Sequence, residues 1–282
     1  MTAFLAILSA VLVGGSDFLG GLASRTASAL RVAALAQAAG LPLAFLLALV
    51  VPADRVTGGD AAWALGSGVA VACGLACFYT AMGRGLISVV APLAAVTGAA
   101  VPVFYALARG ERPGAAASIG IVIALVAVVI VSIAPGDPQH AHLAITPDVV
   151  GLSILAGGCF GVFYVALSLI SGDAGLWPVA LERSTATLTL AAIALALTRG
   201  ALAVPARLAR LVVTIAVLEV CATVPLLLAL QRGPVAIASV LASLYPVTTV
   251  LLAASVLRER MSRLQLAGVC LALVAVVLVS TG

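Results

Sequence analysis

Residues 115–133 read AAASIGIVIALVAVVIVSI, an apolar run with no charged side chain in it. A helix needs about 20 such residues to cross the hydrocarbon core of a bilayer. The run has none of the polar and apolar alternation of a barrel strand, and it is about twice a barrel strand's length. Working outward and cutting wherever Arg, Asp or clustered Pro and Gly interrupt the hydropathy, the same pattern recurs at 2–22, 31–51, 61–82, 87–108, 148–170, 175–198, 208–230, 234–256 and 263–281. The expected fold class is an all-α integral membrane protein with ten transmembrane helices.

Composition agrees with that reading. Apolar residues make up 64% of the 282 positions and charged residues only 9%, whereas a soluble domain is about half apolar and a quarter charged. The lipid bilayer is therefore the expected solvent for the outer face. All 14 basic residues are arginines, spread between the apolar runs rather than gathered in a block, which speaks against a nucleic-acid partner. They fit anchoring at helix ends.

Cys73, Cys77, Cys159, Cys221 and Cys270 all fall inside apolar stretches without His at ligand spacing, so no metal and no cofactor is expected. The one long connection, 135–147, carries His140 and His142 and is expected to be a surface linker between a first half, 1–134, and a second, 148–282. Met1 to Ala10 lacks the basic stretch of a cleavable signal, so the first apolar run is expected to be a membrane span, with no soluble domain at either end.

Sliding the chain along itself by 148 positions sets Arg84-Gly85 on Arg232-Gly233, Glu111-Arg112 on Glu259-Arg260 and Gly120 on Gly268 without a gap. Shared alanine and valine inflate any such match, but charged and glycine pairs at fixed spacing do not follow from composition. The repeating unit holds five spans. An odd number sends the second copy into the membrane from the opposite side, so two inverted five-helix repeats are expected, with a central site at their interface.

The repeated turns resemble a known family. Tyr79-x-Ala81-x-x-Arg84-Gly85 and Ala229-x-x-Arg232-Gly233-Pro234-Val235-Ala236 are similar to the turn after the third helix of the EamA repeat in the drug/metabolite transporter superfamily. Arg258-Glu259-Arg260-Met261-Ser262-x-x-Gln265-x-x-Gly268, and more briefly Glu111-Arg112, resemble the turn joining its fourth and fifth helices. Gly14-Gly15-Ser16-Asp17-Phe18-Leu19-Gly20-Gly21 is similar to the first helix of some bacterial members. Gly110 and Pro113 around Glu111-Arg112 depart from the pattern. The resemblance implies a secondary transporter in the inner membrane, most often an exporter of metabolites or drugs. Its cavity would be lined by the third, fourth, eighth and ninth helices.

Ionisable groups at membrane depth cost several kcal/mol to insert, so they face cavities, pair or do work. Glu219 stands between Val217, Leu218 and Val220, with Thr223 one turn along the same face. A carboxyl there suits proton exchange; the alternative is a carboxylate neutralised by a neighbouring arginine. Asp17, in the glycine-rich first span, is the second proton-coupling candidate, unless it is interfacial. Glu182 and Arg183 are adjacent and so point about 100° apart on a helix, which makes at least one of them reach another helix. They are candidates for a structural ion pair, and Arg183 also for substrate contact, with a bridge from Arg183 to Glu219 or Asp17 as one geometry. Tyr79, Thr97, Ser239, Ser243 and Tyr245 complete the cavity candidates, and Pro92, Pro102, Pro225 and Pro246 can locally free backbone carbonyls.

The expected function is proton-coupled export of a small-molecule substrate by alternating access, from a monomer or homodimer. The alternatives are a membrane scaffold, which gains nothing obvious from opposed halves, and a membrane enzyme, for which no HExxH, Walker or GxSxG motif is found. With both termini cytoplasmic, as the resemblance implies, Arg55, Arg109, Arg112 and Arg232 lie inside and the other loop arginines outside. That opposes the positive-inside expectation and leaves the sidedness open.

Overall fold

The computed structural model describes residues 1–82, 84, 87–132, 146–197, 202–258 and 261–281. Gly85, Glu259 and Arg260 of the repeated turns, His140 and His142 with most of the 135–147 linker, and the side chain of Pro92 lie outside the described residues.

Within them the chain folds as helices: α1 (Thr2–Ser24), α2 (Ala29–Val50), α3 (Gly58–Met82), α4 (Ile87–Ala108), α5 (Ala115–Ser132), α6 (Pro147–Ser168), α7 (Trp177–Leu197), α8 (Ala209–Arg232), α9 (Val235–Ala242), α10 (Tyr245–Val256) and α11 (Arg263–Thr281). Seven segments are long and apolar enough to cross a membrane, counting Val235–Val256 as one, and shorter apolar helices lie in α4, α5 and α11. The ten apolar segments fall where hydropathy set them, and no strand occurs among the described residues. Large apolar side chains such as Phe104 and Leu188 stand on the outside, where lipid would meet them.

One expected span differs in form. The run 234–256 is two helices meeting at Ser243 and Leu244. Pro246 has no N–H to donate to the carbonyl of Ala242, and its ring crowds that carbonyl, so a continuous helix cannot pass through. The chain instead makes tighter bonds, from the Leu244 amide to the Leu241 carbonyl and from the Val247 amide to the Leu244 carbonyl.

Packing follows the sequence offset. Adding 148 to the bounds of α1 through α5 lands within four residues on α6, α7, α8, the α9–α10 pair and α11. α1 packs on α8 as α3 packs on α6, while α2 meets α7 and α5 meets α11. The α5–α11 contact is reciprocal: a Cβ on Gly120 would lie 2.7 Å from Cγ2 of Val279, and a Cβ on Gly268 would lie 2.7 Å from Cγ2 of Val131. Gly120 corresponds to Gly268 and Val131 to Val279, so each contact is the other with the halves exchanged. Neither site has room for a side chain, and the two helices approach through their glycines.

Polar contacts tie loops and helix ends on the face that carries the termini. Asp60 at the start of α3 accepts from the Thr57 amide at 2.9 Å and, through its other oxygen, from the Ser171 amide at 2.7 Å. Gln231 donates to the Ser171 carbonyl at 3.1 Å. Glu111, in the turn after α4, accepts from the amides of Val235 at 2.9 Å and Ala236 at 3.3 Å. Those amides have no partner inside α9, so a carboxylate from the other half caps that helix and meets the positive end of its dipole.

Candidate functional site

A cavity of about 170 Å³ lies in the middle of the bundle, room for several waters or part of a small solute. Both halves wall it: α1, α2, α3 and α4 from the first, and α6, α7, α8 and the α9–α10 break from the second. Apolar and aromatic side chains make most of the wall, and the ionisable groups of the membrane interior converge on it.

α3 and α8 present equivalent registers to the cavity. Val71, Leu75 and Phe78 of α3 line it, and 148 positions on so do Glu219, Thr223 and Leu226 of α8. Only the second copy carries polar chemistry there. Thr223 spends its hydroxyl proton within its own helix, donating to the Glu219 carbonyl at 3.0 Å.

α7 brings Glu182 and Arg183, each only 2% exposed. Arg183 reaches across to two helices: Nη1 donates to Oε1 of Gln37 on α2 and to Oε2 of Glu219 on α8 at 2.8 Å. The bridge from Arg183 to Glu219 that the sequence allowed is therefore present, and Asp17 is not part of it. Desolvating two charges is repaid only by such direct pairing. Nε of Arg183 and Oε2 of Glu182 are buried without a hydrogen-bond partner among the described residues. Glu182, adjacent in sequence, is thus not held by Arg183 in the way Glu219 is. Asp17 faces the cavity from α1 with no ion pair among the described residues.

The remaining candidates divide. Tyr79, Thr223, Ser243 and Tyr245 line the cavity beside Asp17, Glu182, Arg183 and Glu219; Thr97 and Ser239 are not among its lining residues. Thr97 lies against α6, where a Cβ on Gly157 would come within 2.7 Å of its own Cβ. Its hydroxyl donates to the Leu93 carbonyl at 2.8 Å. Ser239 is fully buried and donates to the Val235 carbonyl at 2.7 Å. Gln37, Phe160 and Tyr164, which sequence reasoning passed over, also line the space. Gln37 carried a usable signal, as the one amide within the apolar run of α2. Phe160 and Tyr164 carried none, since an aromatic residue on a membrane helix faces lipid, protein or cavity with equal ease.

No curated protein matches the chain in sequence. Among solved structures, a protein crystal structure superposes on it with a TM-score of 0.79 at 17% identity, covering 99% of this chain and 96% of that one, a likeness of fold. The model of the EamA-like transporter family matches residues 149–281, the half that contributes Arg183 and Glu219 to the cavity. Over residues 149–281 the chain is similar to the EamA-like transporter family.

Proposed function

We propose that the chain is a secondary active transporter of the inner membrane, exporting a small metabolite or drug-like solute in exchange for protons. The observation that carries this reading is the central cavity, built from both halves and holding Asp17, Glu182, Arg183 and Glu219 away from lipid. Scaffolds have no use for so many charges at membrane depth, where each is costly.

Alternating access follows from two inverted five-helix repeats, 1–134 and 148–282, with the cavity at their interface. The reciprocal contacts of Gly120 with Val279 and Gly268 with Val131 support the inversion. When residue i meets j′ and j meets i′, a two-fold axis relates the partners. With five spans per copy, that axis lies in the membrane plane.

Glu219 and Asp17 are the proton-exchanging groups of this reading. Protonating Glu219 removes its attraction for Arg183 and leaves the guanidinium held by Gln37 alone, so the proton and the α7–α8 bridge are linked. Asp17 has no such bond to break. In vesicles with an imposed proton gradient, Glu219→Gln is expected to abolish gradient-driven accumulation while leaving substrate counterflow largely intact, since the amide keeps the size and loses the titration. Accumulation at the parent rate would remove Glu219 from the coupling, and the Glu219→Gln pattern appearing in Asp17→Asn would assign the role to α1.

A further inference from the structure

The cavity holds three carboxylates, Asp17, Glu182 and Glu219, and one guanidinium, Arg183. That guanidinium is engaged at Nη1 by Glu219 and Gln37. Two acids are left over. One of them, Glu182, is almost fully buried and keeps an oxygen without a hydrogen-bond partner among the described residues. A buried carboxylate in that state needs a proton or a positive partner. The same wall carries the phenol rings of Tyr79, Tyr164 and Tyr245 together with Phe78 and Phe160, and ring faces attract a cation that has shed its water.

We propose that the cavity takes a compact organic cation with an apolar body, its charge met by Glu182 and Asp17 and its body by the tyrosine rings. An anion would meet two carboxyl groups that have no ion pair among the described residues and find the cavity's guanidinium already engaged at Nη1. A neutral solute would leave Glu182 as it is. The proposal deepens the transporter reading by naming the class of solute, and it rests on that reading only for movement, not for binding.

The test measures binding to the purified full chain in lipid nanodiscs, by calorimetry, with three probes of similar size: benzyltrimethylammonium, neutral phenylacetamide and anionic phenylacetate. The cation is expected to bind at least about tenfold more tightly than the other two. Glu182→Gln is expected to weaken it by about tenfold, and Glu182→Gln with Asp17→Asn to abolish it. Cys270→Ser, on the exposed side of α11, leaves it unchanged. Phenylacetate or phenylacetamide binding as well as the cation, or no binding of the cation, overturns the assignment. That comparison uses the parent protein, so a variant that fails to fold does not affect it. Cation affinity that survives the double substitution overturns it equally. In vesicles, a cation that binds but never moves down its own gradient sinks the transporter reading and leaves the cation site standing. Carriage of phenylacetate alone does the reverse.

Discussion

The two halves share a packing plan and differ in what they offer the cavity. Val71 and Leu75 of α3 occupy the places that Glu219 and Thr223 occupy on α8. Ala34 and Leu35 of α2 stand 148 positions before Glu182 and Arg183 of α7, and Thr97 of α4 stands before Tyr245 at the start of α10. At the α5–α11 crossing the copies stay alike, because a glycine at a close approach tolerates no substitute, as at Gly120 and Gly268. At the cavity no such constraint acts, and the second half has taken most of the charge. The shared plan belongs to the packing, and the division of labour to the open space.

That comparison can be broken most severely at the α7–α8 bridge. Arg183→Leu restores to α7 the residue of the first half, but it strips the buried partner from Glu219. Thermal unfolding in detergent is expected to show a loss of about 3–5 kcal/mol, the cost typical of breaking a buried pair from one side. Adding Glu219→Val, which copies Val71 into α8, is expected to recover much of that loss, since the two changes remove one interaction together. If the double variant is no better than Arg183→Leu, the second half is not a charged version of the first.

Smaller in effect are the crossings. Gly120→Leu and Gly268→Leu each push a side chain into Val279 and Val131 respectively, and each is expected to cost about 1–3 kcal/mol. The two losses are expected to agree within experimental error, because the contacts are equivalent. A large loss at one glycine and none at the other, in the same unfolding measurement, would break the reciprocity that supports inverted halves. Smallest is the cap: Glu111→Ala removes the acceptor for the Val235 and Ala236 amides and is expected to cost about 0.5–2 kcal/mol. Hydrogen exchange at those two amides, measured on the variant, is expected to rise, and unchanged protection would show that the carboxylate is not their partner.

Much of the fold was legible in the chain. Apolar runs placed ten segments to within a few residues, because a helix in lipid must bond its backbone internally and must be long enough to cross. The break in the ninth segment was half legible: Pro246 marked it, but the two helices it separates were read as one span. Residue by residue the candidate site was less so. Tyr245 and Thr97 looked alike as polar residues on helices expected to line the cavity, yet one lines it and the other packs against Gly157. Glu111 was seen as part of a motif, and nothing local in its sequence pointed to amides 124 and 125 positions away.

By itself the sequence determined that this protein lives in a membrane and how many times its apolar runs recur, since hydropathy is a property of neighbouring residues. Only the tertiary structure decided that Arg183 joins Gln37 to Glu219, that Glu182 keeps an oxygen unpartnered, and that Thr97 and Ser239 stand aside from the cavity. Those facts depend on which faces of distant helices meet, and in an almost uniformly apolar chain no local pattern tells a face turned to lipid from one turned to another helix.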